Sequence, residues 1–253
     1  MGFEANRPVK TTVRTFDIIE NLSQTEGIRI SNLVDQVDAS KSIVHNHLST
    51  LRELGYVRKI GEEYQLSSKL LSTGFEARKR SRLFGASHTL CSNFANSFNT
   101  GVVLCEQTIH ECIVTDVHNL TKEADITVGK SMAITESLPG LVAIIADSDR
   151  VIPDSSNNYN LTKMCKSVAE QGYAIGPITP SNSLNCIGLP ITDENDNCYG
   201  VLSTLMKPDI PQNKLSQLTD SGIDLRIQIE NRLDSSWQST RSFGTVKNTW
   251  YSQ

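Results

Sequence analysis

Residues 40–64, SKSIVHNHLSTLRELGYVRKIGEEY, constrain this chain more than any other stretch. Val44, Leu48, Leu51 and Leu54 recur in steps of four, three and three, so one stripe of a helix faces a core. Ser40 stands at the N-cap, where a hydroxyl accepts a bond from an unpaired first-turn amide. Gly55 follows the last stripe residue, where a left-handed helix end favours glycine. The opposite face carries Lys41, Ser42, His45, Asn46, Ser49 and Arg52, side chains that reach phosphates and base edges. Residues 57–66 read as a hairpin turning at Gly61-Glu62, with Arg58 and Lys59 on its first strand.

The preceding residues complete a pattern. Residues 9–22 predict an amphipathic helix with Val13, Phe16, Ile19 and Leu22 inward. Ile28-Arg29-Ile30 is a short strand, Ser31 caps a second helix with Leu33, Val34 and Val37 inward, and Asp38-Ala39 turns into the third. Helix, strand, helix, turn, helix and hairpin is the order of a winged helix-turn-helix. DNA contacts are expected from Lys41, Ser42, His45, Asn46 and Ser49 on the third helix, and from Arg58 or Lys59 on the wing.

Charge qualifies that reading. The chain has a net charge of −4, with −1 over residues 1–66, +4 over residues 67–82 and −7 over the remainder. A DNA-binding segment without a basic excess argues against a nonspecific binder and for a site-specific one. No apolar run approaches the roughly 20 residues of a membrane span. Residues 1–8 lack the apolar core of a signal peptide, so a soluble, cytoplasmic protein without membrane contact is expected.

Residues 67–82 predict a linker helix with Leu70, Leu71, Gly74, Phe75 and Arg78, and another helix covers residues 84–98. Strands are expected over residues 101–106, 111–117, 172–175, 185–191 and 199–206. Helices are expected over 138–146, 161–171 and 213–233, with loops at 152–159 and 177–183 and turns at 121–125 and 193–197. The chain therefore divides into a winged helix-turn-helix at 1–66, a linker helix at 67–82, an α+β domain at 83–234 and a tail at 235–253 holding Trp237 and Trp250.

Lys41-Ser42, His45-Asn46-His47-Leu48, Thr50-Leu51 and Leu54-Gly55-Tyr56-Val57 resemble the DNA-binding domain of IclR-type transcriptional regulators, close to the archaeal branch. Lys10-Thr11-Thr12 with Arg14 resembles its opening, and Tyr64-Gln65-Leu66-Ser67 the end of its wing. Many bacterial members carry arginine where this chain has Asn46. In the second domain Val128-Gly129-Lys130, Gly140, Gly172-Tyr173-Ala174, Cys186-Ile187 and Pro190 resemble the family's GAF-like effector domain, an α/β fold. The resemblance implies a homodimer or dimer of dimers on a near-palindromic stretch of double-stranded DNA. It implies dimer contacts through Leu70, Leu71 and Phe75. It also implies a small-molecule effector near Gly129, Thr135, Ser137, Cys186 and Thr204. Departures cluster there: residues 133–138 replace the family's Pro-Leu-His-Ala-Thr-Ala, and Thr204-Leu205-Met206 its Ser-x-Ser. Glu136, if it faces the pocket, disfavours an anion. A regulator that has lost its ligand and serves as a dimerisation or interaction module is the alternative.

The six cysteines, at 91, 105, 112, 165, 186 and 198, include no C-x₂-C pair and read as small core residues. A sharper alternative is redox or metal sensing by Cys105, Cys112 and Cys186. His110, Glu111, Cys112 and His118 show no further partner at helical or strand spacing. No metal set, cofactor or catalytic constellation is therefore assigned, and enzyme activity is not expected.

Overall fold

The computed structural model describes residues 6–108, 111–147, 160–193 and 197–242. The chain separates into two compact units, the first ending at Lys79 and the second beginning at Arg80. No helix among the described residues is long and apolar enough to cross a membrane. The loop expected at 152–159, and Trp250, lie outside the described residues, as do His110 and the centre of the turn at 193–197.

In the first unit α1 (Lys10–Ser23), β1 (Ile28–Arg29), α2 (Ile30–Val34) and α3 (Lys41–Glu53) precede a hairpin of β2 (Val57–Ile60) and β3 (Glu63–Leu66), followed by α4 (Lys69–Arg80). The strands pair antiparallel in the order β1-β3-β2. Its core unites Ile18, Leu22, Ile28, Leu33, Val37, Val44, Leu48, Leu51, Val57 and Tyr64. Ser40 caps α3 by accepting from the Ile43 amide at 3.4 Å, and the backbone turns left-handed at Gly55 (φ 81°) and Gly61 (φ 59°).

Three expectations are corrected. On α1, Ile18 and Leu22 are buried, whereas Val13 and Phe16 are 49% and 57% exposed. Three-residue steps drift about 60° each around a helix, so the three steps from Val13 to Leu22 put these two residues on opposite sides. Ser31 lies inside α2, whose N-cap is Arg29 and has no side-chain bond, because β1 runs directly into the helix. Leu54 is the C-cap of α3 and is exposed, because the helix stops before its stripe position turns inward.

The second unit opens with α5 (Arg82–Phe98), capped by Ser81, whose hydroxyl accepts from the Phe84 amide at 3.1 Å. One antiparallel six-stranded sheet follows. It comprises β4 (Gly101–Gln107), β5 (Glu111–His118), β6 (Ser131–Ala133), β7 (Ala174–Pro177), β8 (Asn185–Thr192) and β9 (Cys198–Met206), in the order β6-β5-β4-β9-β8-β7. One face packs on α6 (Leu138–Ala146) and α7 (Leu161–Gln171) and the other on α5 and α8 (Gln212–Ser242), giving two apolar layers. The architecture is thus an N-terminal helix-turn-helix followed by a mixed α+β unit.

The strand β6 was not anticipated from the sequence; three residues are too few to show alternation. Residues 235–242, expected in the tail, continue α8. Gly140 and Gly188 set how closely α6 approaches its neighbours. A Cβ on Gly140 would sit 2.3 Å from the Ile134 carbonyl oxygen, and one on Gly188 would sit 2.6 Å from Leu138 Cδ2.

Candidate functional site

α3 presents Lys41, Ser42, His45, Asn46 and Ser49, all exposed, at positions i, i+1, i+4, i+5 and i+8 of one helical stripe. Buried Val44, Leu48 and Leu51 hold the opposite side against the core. Arg14 Nη2 donates to the Asp38 carbonyl at 2.9 Å, tying α1 to the turn before α3. His47 is half-buried, with Nδ1 2.9 Å from the Thr15 hydroxyl, so it belongs to the packing of α1 on α3 and not to the outward stripe.

The two wing cations are not equivalent. Adjacent strand residues point to opposite faces. Lys59 shares the face of buried Val57; its ammonium lies 5.6 Å from the Tyr64 ring centre and 4.0 Å from Glu62. Arg58 points to the other, exposed face of β2. At the hairpin base, Lys69 Nζ donates to the Leu54 carbonyl at 2.6 Å and lies over the Tyr56 ring at 4.6 Å.

The five residues expected around an effector do not converge. Cys186 is wholly buried on the α6 face of β8, in a layer with Cys105, Cys112, Met132 and Leu138, and burial pushes its thiol up to about 12. Ser137 is buried and spends its oxygen capping α6, accepting from Gly140 N at 3.2 Å. Thr135 is half-buried, and Gly129 is an exposed turn residue with φ 87°. Thr204 pairs with Ile187 and faces α5 and α8, across the sheet from Cys186. Strand alternation instead puts Ser203, which pairs with Gly188, on the Cys186 side. Glu136 is exposed, so its charge does not argue against an anionic ligand.

A cleft of about 590 Å³ lies at the end of the sheet where β4 begins and β9 ends. Asn99, Thr100, Asn119, Thr121, Lys207, Asp209 and Lys214 supply its polar lining, and Leu120, Leu184 and Leu205 its apolar wall. None of the five expected effector residues lines it. Its walls come from separate loops, strand ends and the start of α8, and no local pattern in the sequence unites them.

Sequence reading also passed over Asp116. It lies two residues before His118 on β5, so both side chains share a strand face, and His88 of α5 meets them there.

Residues 11–61 match the model of the IclR helix-turn-helix domain. A probable HTH-type transcriptional regulator, ArcR, from Halobacterium salinarum is 23% identical over 222 residues, covering 78% of this chain and 82% of that protein. An IclR transcriptional regulator from Alicyclobacillus acidocaldarius superposes with a TM-score of 0.75 at 13% identity, covering 90% of this chain and all of that one. An IclR homologue from Microbacterium hydrocarbonoxydans, solved in complex with 4-hydroxybenzoate, superposes at 0.68 with 14% identity, covering 89% of this chain and 99% of that one. At such identities the solved structures speak to the fold alone, while the curated relatives are regulators and not enzymes. The helix-turn-helix over residues 11–61 is thus of the IclR type, and the chain is similar in sequence and in fold to IclR-type transcriptional regulators.

Proposed function

We propose that the chain binds a near-palindromic site on double-stranded DNA as a homodimer, with α3 in the major groove and Arg58 of the wing on the backbone. The carrying observation is the single exposed stripe of Lys41, Ser42, His45, Asn46 and Ser49. An α-helix fits the major groove, where asparagine can pair bidentately with adenine and lysine meets phosphate or guanine. One helix of this length reads few base pairs, so two copies related by a two-fold axis are needed for a rare site. Phe16 on α1 and Leu71 and Phe75 on α4 are large apolar side chains left exposed within one chain, which supports a partner surface in this unit. Titration against selected duplexes tests the reading. Lys41→Ala weakens all sequences alike and reduces the salt slope by about one unit, while Asn46→Ala relaxes preference at one base pair. Binding that ignores both substitutions overturns it.

The second unit takes up a small molecule in the cleft lined by Lys207 and Lys214. A volume of about 590 Å³ suits such a ligand, and two lysines with asparagine amides, set against the one carboxylate of Asp209, leave a net positive lining that suits a small carboxylate. The 4-hydroxybenzoate bound to the Microbacterium homologue is of that class. A thermal-shift panel of small carboxylates tests this. A ligand at 100 times its Kd adds about 2.7 kcal/mol of stability. Loss of the shift in a Lys207→Ala, Lys214→Ala double variant supports the cleft, and an undiminished shift places the ligand elsewhere.

A further inference from the structure

On the sheet face opposite Cys186, Asp116 Oδ2 lies 2.7 Å from His88 Nδ1 and 2.9 Å from His118 Nε2. One donor atom from each residue falls within 4.8 Å of the other two. The side chain of Asp116 is 3% exposed, His118 is largely buried and His88 is half exposed. His118 and Asp116 are fixed by β5, and His88 by the middle of a 17-residue helix, so rigid elements hold all three. The imidazole rings lie 5.2 Å apart, and the second carboxylate oxygen accepts from the Val117 amide at 3.1 Å. That amide bond fixes the carboxylate plane, with Oδ2 turned towards both rings.

We propose that His88, Asp116 and His118 form a divalent transition-metal site, best suited to zinc, with the fourth position open to water on the His88 side. The donor chemistry selects the ion. Two imidazole nitrogens and one carboxylate oxygen suit zinc and its first-row neighbours, whereas magnesium and calcium take oxygen sets. Ligand bonds of about 2.0–2.1 Å at tetrahedral angles put donor atoms about 3.4 Å apart, so the two short contacts must open by about 0.5 and 0.7 Å, and the two ring nitrogens, within 4.8 Å of each other, must settle at the same spacing. The exposed edge of His88 gives the ion a path from solvent. Bound metal would pin α5 to β5, adding to their packing and to the His88–Asp116 contact that already links them. The site lies across the sheet from the Cys105, Cys112 and Cys186 layer, so it does not depend on the cysteines.

Zinc titration of the metal-free full chain, in competition with a chromophoric chelator, tests the site. One equivalent is expected to bind. His88→Ala and His118→Ala are each expected to weaken it about 100-fold or more, with circular dichroism unchanged; this takes the upper end of the loss seen for outer-shell partners as a floor for a direct ligand. His88 is half exposed, so its variant is expected to fold. Because His118 is buried, histidine ring NMR of the unmutated chain provides a second reading. Of the five histidines, zinc is expected to shift the ring nitrogens of His88 and His118 and to leave His45, His47 and His110 in place. No zinc uptake by the full chain, unaltered affinity in both variants, or shifts confined to other histidines would each overturn the proposal.

Discussion

Replacing Gly140 by alanine separates two opposing effects of a methyl group on a helix. In an exposed helix the change is favourable, by about 0.8–1.0 kcal/mol. At Gly140 the new Cβ would stand 2.3 Å from the Ile134 oxygen, 2.6 Å from its Cα and 2.7 Å from its carbonyl carbon. Ordinary contact begins near 3.4 Å, so residues 131–137 must retreat from α6 by about 1 Å, and these are backbone atoms that cannot swing aside. Overpacking costs about 1–3 kcal/mol, and rigid neighbours place this case at the upper end. Subtracting the propensity gain leaves a net loss of about 2 kcal/mol. For a chain of this size that lowers Tm by about 4–8 °C. Gly74→Ala is the matched control: Gly74 lies in α4 with nothing within 4 Å of the added carbon, so the same substitution should stabilise. Differential scanning calorimetry of both variants decides the matter. A Gly140→Ala protein that gains stability as its control does would refute the packing of α6 on the segment that carries Ile134.

Leu48 is fully buried beneath the outward stripe of α3, so Leu48→Ala should cost about 2–5 kcal/mol in urea unfolding, whereas Ser49→Ala should change stability by less than about 0.5 kcal/mol. Burial pushes the thiols of Cys91 and Cys186 up to about 12, with the charge of Asp116 a second cause for Cys91. Both therefore resist iodoacetamide at pH 8 in the folded protein and react once it is unfolded. Because these thiols keep their protons when folded, their contribution is fully present below about pH 9 and is lost as pH rises from there towards 12; pH-dependent unfolding reads this as falling stability above pH 9. Sedimentation should give a dimer mass that shifts towards monomer in a Leu71→Asp, Phe75→Asp variant, and an unchanged mass would place the partner surface elsewhere.

Local periodicity explains which parts of this fold were legible. α3 could be read because its cap, its stripe and its terminal glycine agree within sixteen residues, and Ser40, Val44, Leu48 and Gly55 all behave as that agreement requires. α6 could be read from end to end because an apolar run bounded by Ser137 and Asp147 admits little else. Phe16 was assigned to the core by a spacing that drifts around the helix, and Thr204 to the wrong sheet face because strand phase changes with a single residue. The cleft and the His88, Asp116 and His118 cluster were not legible as sites, since each joins residues that become neighbours only once α5 and α8 pack on the paired sheet. Even there, the Asp116 and His118 pair carried a strand signal at two-residue spacing.

The central claim is that α3 reads DNA as half of a symmetric pair. Selection of duplexes from a random pool by the full chain, sequenced after several rounds, tests it most directly. The account predicts enrichment of an inverted repeat whose half-sites repeat at about one helical turn or a multiple of it, with enrichment at one position of each half-site lost in Asn46→Ala. Enrichment of an unrelated asymmetric sequence, or of the same repeat by a Lys41→Ala, Asn46→Ala double variant, would contradict it.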